Sequence, residues 1–139
     1  MSYGADEAGL VCSYLFGRDA CGRTLSAAEA AAWIHGDRGL GGDEFLWLHF
    51  NLAHNAAERW IKAHLDLSEQ FFEALRDGSH TTRIEHTDGT LIAVINDVLY
   101  DFSFEPSSIS TLWISISERL VVTARRHALR SVDRLRAAV

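Results

Sequence analysis

The chain has 139 residues, of which 47% are hydrophobic and one is a proline, which excludes a disordered chain and suits one domain with a sizeable core. Residues 1–118 carry 18 acidic and 7 basic side chains, whereas residues 119–139 carry six arginines and one acid, Asp133. An acidic body disfavours nucleic-acid binding and raises the local concentration of cations.

Membrane and export signals are missing from the sequence. No uninterrupted apolar run exceeds five residues, as in residues 91–95, whereas a membrane-spanning helix needs about 20. No secretory pattern follows Met1. Cys12 and Cys21 lack CxxC spacing, so we interpret them as reduced thiols of a cytosolic protein, with half a zinc site as the weaker alternative. The chain as given is therefore expected to be soluble.

The first third predicts a strand, a helix and a second strand. Residues 10–16 are rich in strand formers. Ser26 and Glu29 form a capping box that opens a helix over residues 27–34. Residues 45–51 carry bulky side chains on both faces, which indicates a central strand covered on both sides.

Two further helices are expected in the middle of the chain. Asn55 and Glu58 are predicted to cap a helix that runs to Leu65. Ser68 is predicted to cap another, which ends near Gly78 because glycine can adopt the left-handed conformation at a helix end.

The last third predicts two hairpins and a helix. Residues 83–86 and 90–96 flank a Thr-Asp-Gly turn, a strong hairpin signal. Residues 110–116 and 120–124 predict two more strands. An amphipathic helix is expected from Arg126. Its apolar residues recur at intervals of three and four: Leu129, Val132, Leu135 and Val139.

No stop signal ends this last helix, so we expect the chain to be the front part of a longer protein. The order of elements predicts the α/β class: a three-layer α/β/α sandwich around one mixed parallel/antiparallel sheet. We expect residues 1–125 to form this domain and residues 126–139 to begin a long stalk helix.

Catalytic motifs are largely absent. No dinucleotide loop, Walker sequence, HExxH or nucleophile elbow occurs. His49 and His54 follow the central strand, and His80 and His86 flank a later one, where imidazoles and carboxylates would suit zinc. Histidines without tight spacing are nevertheless more often ordinary surface or core residues. A hydrolase using Cys12 or a histidine lacks nucleophile–base spacing, so we predict no enzyme activity.

Four segments together resemble a known family. They are YLFGRDACGRTL, FLWLHFNLAH, FFEALRDGSHTTRIEHTDGTLIAVIN and STLWISISERLVVTARRHALRSVDRLRAA. In this order, over roughly residues 8–139, they resemble the cytoplasmic N-terminal domain of CorA-type metal ion transporters, and most closely its zinc-transporting ZntB branch.

The resemblance implies a fold and a function. Family members form α/β/α domains that assemble as five copies, each with a stalk helix leading to two membrane helices and a Gly-Met-Asn pore motif. It thus implies the cytosolic domain of a divalent cation transporter, for zinc or magnesium, at the cytoplasmic face of the inner membrane. It implies a homopentamer that requires no cofactor and meets the membrane only through segments not present here.

Two positions depart from the family pattern. Magnesium-transporting relatives carry a Glu-Asp pair in the third helix, where this chain has Glu73-Ala74. Relatives also tend to have Arg-Pro before the hairpin, where this chain has Thr81-Thr82. The first departure is closer to the zinc branch.

We hypothesise that carboxylates and imidazoles facing each other between subunits are bridged by a regulatory cation, with Glu73, Asp77 and His80 as the metal ligands. Bridging would favour one arrangement of the subunits, as a switch requires. The alternative function is a stand-alone soluble module that binds or senses metal.

Overall fold

A computed structural model provides the structure of the chain. It describes residues 8–17, 22–36, 44–77, 82–87, 89–98, 109–126 and 130–139.

The strands of the described residues form one sheet. They are β1 (Leu10–Phe16), β2 (Gly22–Thr24), β3 (Phe45–Asn51), β4 (Arg83–Thr87), β5 (Thr90–Val98), β6 (Ile109–Ile116) and β7 (Leu120–Arg125). Their order across the sheet is β2-β1-β3-β7-β6-β5-β4. β3 and β7 pair in parallel, and every other neighbouring pair is antiparallel. This confirms the predicted mixed sheet.

The helices occupy both faces of the sheet. They are α1 (Ala27–His35), α2 (Ala56–His64), α3 (Glu69–Asp77) and α4 (Arg130–Ala138). One face of β3 carries Leu46, Leu48 and Phe50, which belong to the core cluster that includes Ile61 of α2 and Phe71 of α3. Because side chains alternate along a strand, Trp47 lies on the other face, in a smaller cluster with Val132 of α4.

The three-layer architecture follows from this division: α1, α2 and α3 on one face, the sheet, and α4 on the other. Side-chain contacts connect one layer to the next and the helices within a layer. The indole N–H of Trp113 on β6 donates to the carbonyl oxygen of Ala74 on α3 at 2.9 Å. The ammonium group of Lys62 lies 5.6 Å from the ring centre of Phe72, which joins α2 to α3. No helix among the described residues is long and apolar enough to cross a membrane.

The helix N-termini agree with the predictions only in part. The Ser26 hydroxyl accepts from the backbone N–H of Glu29, and the Glu29 carboxylate accepts from that of Ser26, so the predicted capping box is confirmed. The predicted caps at Asn55 and Ser68 are wrong. Asn55 makes no side-chain capping bond, and the buried Ser68 hydroxyl has no hydrogen-bond partner among the described residues.

The reason for the Asn55 error is its backbone conformation. Its dihedral angles, φ −60° and ψ −28°, are already helical, whereas a capping residue is typically extended. The Nδ1 atom of His54 instead accepts from the backbone N–H of Ala56 at 3.2 Å. A histidine therefore satisfies one of the free N–H groups at the start of α2.

The strand predictions are confirmed with one omission. The sequence pattern missed β2, an edge strand of three residues. The final helix was predicted to start near Arg126. Arg126 itself lies in a bend, residues 127–129 lie outside the described residues, and α4 is described from Arg130. Gly89, with φ +77°, lies in the predicted Thr-Asp-Gly turn, of which Thr87 belongs to β4, so the connection to β5 is shorter than predicted.

Candidate functional site

Two of the three predicted metal ligands belong to α3. Glu73 is exposed on this helix, and Asp77 is its last residue, about one turn later. His80 lies outside the described residues, and so does Cys21. Within the described part of the chain, no group of three or more histidine, cysteine, aspartate or glutamate residues is placed to hold a metal ion. The site at Glu73, Asp77 and His80 therefore stays a prediction.

The histidines near the central strand have structural contacts. His49 of β3 is only 1% exposed. Its Nδ1 atom lies 2.7 Å from the hydroxyl oxygen of Thr123 on β7, and the same oxygen accepts from the indole N–H of Trp47 at 2.9 Å. The tautomer of His49 sets which of the two groups donates in this short contact, because a hydroxyl has one hydrogen to donate and two lone pairs that accept.

The electrostatic surroundings keep His49 neutral. Burial and, to a smaller extent, the positive charges of Arg125 and Arg136 together lower the pKa of its imidazole to about 3. Since Nδ1 is engaged by Thr123, the side chain links β3 to β7 inside the protein. His54 is engaged at the start of α2, and His86 is exposed on the edge strand β4. The described contacts of His49 and His54 are thus those of structural histidines.

Sequence reasoning missed a pair of histidines on the other side of the sheet. His35 Nε2 and His64 Nδ1 lie 3.3 Å apart, although the two residues are separated by 28 others along the chain. Each lies in the last turn of its helix, α1 or α2. The one signal for this pair in the sequence is that each of two successive predicted helices has a histidine at its end.

Sequence reasoning also missed an apolar groove beside α4. The groove has a volume of about 560 Å³ and is lined almost entirely by apolar side chains. Its lining residues from the sheet include Phe16, Phe45, Trp47, Ile114 and Ile116.

The groove lies on the sheet face that carries α4. Val132 of this helix is buried, but Leu135 and Val139, which also line the groove, remain 54% and 42% exposed. The structure describes three of the four residues that were predicted to form the apolar face of the last helix. One of the three is thus buried, and the other two are about half exposed. Exposed apolar surface of this kind is typical of a protein interface.

A family model described as CorA-like Mg2+ transporter protein matches residues 42–139. No curated protein sequence matches the chain.

Solved structures share its fold. The full-length CmaX protein is 24% identical with a TM-score of 0.80. The cytoplasmic domain of ZntB from Vibrio parahaemolyticus RIMD 2210633 is 10% identical with a TM-score of 0.71. The soluble domain of CorA from Methanocaldococcus jannaschii is 14% identical with a TM-score of 0.58.

These matches cover most of the chain but only part of each relative. The match to CmaX covers 96% of this chain and 39% of the CmaX chain. The match to the ZntB domain covers 94% of this chain and 49% of that chain, and the match to CorA covers 90% and 44%. The present chain thus spans less than half the length of these relatives. The resemblance to a CorA-type cytoplasmic domain, inferred from four sequence segments, is confirmed. Because the family model covers more than half of its residues, the chain belongs to the family of CorA-like Mg2+ transporter proteins.

Proposed function

We propose that this chain is the cytosolic domain of a divalent cation transporter that carries zinc or magnesium. The observation that carries the proposal is the family match over residues 42–139. The similarity of the whole fold to the ZntB cytoplasmic domain and to full-length CmaX supports it. In this proposal the protein is a homopentamer whose pore lies in the inner membrane, and this domain is on the cytoplasmic side.

Two properties of the chain fit such a role. The acidic excess of residues 1–118 attracts cations toward the domain. The apolar groove beside α4 provides a surface that another part of the transporter can cover. Neither property requires catalysis, and we propose a transport role rather than an enzymatic one.

The direct test is cation uptake by the complete protein. The protein encoded by the full reading frame that contains this chain is to be reconstituted in liposomes loaded with a zinc-sensitive or a magnesium-sensitive dye. Uptake of one cation assigns the substrate, and dye-loaded liposomes without protein provide the control. A reading frame without two apolar segments of about 20 residues, or a protein that takes up neither cation, contradicts the proposal and favours the stand-alone module.

The regulatory part of the proposal is tested separately. A cation that bridges Glu73, Asp77 and His80 between subunits would make the domain resist proteolysis, because a ligand that binds the assembled state stabilises it. Zinc-dependent protection is to be measured on the complete protein and on a variant with all three residues replaced by alanine. Equal protection of the two proteins contradicts these ligands and leaves the transport proposal intact.

A further inference from the structure

The ends of α1 and α2 bring two imidazoles together on the face of the sheet opposite to α4. His35 Nε2 lies 3.3 Å from His64 Nδ1, and the two ring centres are 5.5 Å apart with an angle of 57° between the rings. His35 is exposed, and His64 is half-buried. A small ion can therefore reach the pair from solvent.

The separation of the two nitrogen atoms matches a metal chelate. A zinc ion binds imidazole nitrogen at about 2.0–2.1 Å in tetrahedral geometry, which places two such nitrogens roughly 3.3–3.4 Å apart. The distance between His35 Nε2 and His64 Nδ1 has this value without any movement of the helices. Neutral imidazole is also a preferred ligand of zinc, copper and nickel, and a poor one for magnesium.

The surroundings hold the pair in place. The ring of His64 packs against Trp60 at an angle of 41°, with 4.6 Å between the ring centres, and Trp60 in turn packs against Phe50 at 5.5 Å. Both histidines lie in the last turn of a helix, where the partial negative charge of the carbonyl groups favours a cation. One of the two ligands is therefore fixed by the core.

We propose that His35 and His64 form a two-histidine site for a transition-metal ion such as Zn2+, with water completing the coordination. The described part of the chain offers no third side-chain ligand at this place. The site links α1 to α2 within one chain, so it differs from the intersubunit site at Glu73, Asp77 and His80. It does not rest on the transport function.

The test uses the 139-residue chain and zinc chloride alone. Zinc is expected to shift the imidazole nitrogen resonances of His35 and His64 together in NMR spectra. At a zinc concentration tenfold above Kd, it is expected to raise Tm by roughly 3–5 °C. Magnesium chloride at the same concentration is expected to do neither, because it is a poor match for imidazole.

Variants identify the ligands. Replacement of His35 by glutamine (H35Q) changes an exposed side chain and is expected to weaken zinc binding by roughly tenfold or more. The matched control is H86Q, which removes an exposed histidine from β4 and is expected to retain wild-type affinity.

Three results would overturn the site. They are an H35Q variant that binds zinc as the wild type does, a loss of affinity in H86Q equal to that in H35Q, and zinc-induced NMR shifts that omit His35 and His64. In each case the two rings form only a hydrogen-bonded pair. None of these results bears on cation uptake by the complete protein.

Discussion

At the residue scale, the buried contact of Trp47 and His49 with Thr123 joins β3 to β7 through side chains. A single hydroxyl oxygen lies within hydrogen-bond distance of both rings, at 2.9 Å from the indole nitrogen and 2.7 Å from the imidazole nitrogen. Buried polar groups that satisfy one another in this way favour one register of the strands, whereas an unpaired group in the same place would cost free energy.

The low pKa of His49 predicts a pH-dependent stability. The unfolded chain binds a proton at the ordinary histidine pKa of about 6.5, whereas the folded protein keeps His49 neutral down to a pKa of about 3. Between these values the unfolded state binds more protons. The free energy of unfolding therefore falls as pH falls through this window, by at most about 1.4 kcal/mol per pH unit from this residue.

Replacement of His49 by asparagine (H49N) tests this prediction. The variant keeps an acceptor near the Thr123 hydroxyl but cannot titrate. We expect it to be less stable at pH 7 by about 1–3 kcal/mol and to lose less stability than the wild type between pH 6.5 and pH 4. Urea unfolding at several pH values measures both effects, and H86Q serves as control. Parallel pH profiles of wild type and H49N would disprove the assignment.

At the scale of elements, two serines that precede helices have different roles. Ser26 caps α1 through its hydroxyl, whereas the Ser68 hydroxyl has no hydrogen-bond partner among the described residues. We expect S26A to lower the free energy of unfolding by about 1 kcal/mol. We expect S68A to leave it unchanged or to raise it, because this variant removes a buried hydroxyl without a described partner. Chemical denaturation of both variants checks the difference. Equal losses would contradict the capping geometry.

Two glycines with positive φ provide a second comparison. Gly89 lies in the β4–β5 turn at φ +77°, and a Cβ atom there would meet nothing within 4 Å. Gly9 has φ +80°, and its Cβ atom would lie 2.6 Å from that of Ala57 on α2. We expect G89A to cost about 1–2 kcal/mol from backbone strain alone.

The Gly9 variant is expected to cost more. In G9A the overlap with Ala57 adds to the same backbone strain and contributes at least about 1 kcal/mol more. Thermal unfolding of the two variants measures this difference. A G9A variant as stable as G89A would show that α2 does not approach the start of β1 this closely.

At the scale of the whole molecule, the two faces of the sheet differ in how well they are covered. Among the described residues, three helices cover one face, while the nine residues of α4 cover the other only in part. Exposed apolar residues lie on this second face. Ile116 lines the groove and is 40% exposed. Ile84 is 66% exposed, and its pairing with Ala93, which pairs with Ile114, places it on the same face.

The groove predicts binding of an apolar dye by the isolated chain. We expect I116S to make the binding free energy of anilinonaphthalene sulfonate less favourable by about 1 kcal/mol, because apolar contact is lost, and thus to weaken binding roughly fivefold. I84S is the matched control, because this exposed isoleucine lies outside the groove lining, and it is expected to retain wild-type binding. Dye fluorescence titrations compare the variants. Equal effects of I116S and I84S would show that the dye binds elsewhere.

The predicted elements came from short-range patterns, and the errors show where such patterns fail. The strand Phe45–Asn51 was predicted with its observed bounds because bulky side chains occupy both of its faces. The strand Gly22–Thr24 has no apolar pattern that would predict it. It is defined by its pairing with β1. Asn55 and Ser68 are suitable capping residues by type, but a cap also requires a backbone conformation that the sequence does not display.

The functional features also divide into those that contiguous sequence predicts and those that depend on distant residues. The segments that identify the family are contiguous and could be recognised in the sequence. The contact of His35 with His64, and the burial of His49 between Thr123 and two arginines, depend on residues far apart in the chain. The ligands Glu73, Asp77 and His80 were inferred from a resemblance and stay a prediction.

The sequence by itself determined the order and type of nearly all elements, the capping box at Ser26 and the turn at Gly89, because these depend on side chains and backbone within a few residues. Only the tertiary structure decided the parallel pairing of β3 with β7, the neutral state of His49, the pair of His35 and His64, and the open groove beside α4. The physical reason is that burial, desolvation and contacts between distant side chains arise from groups that only the folded chain brings together.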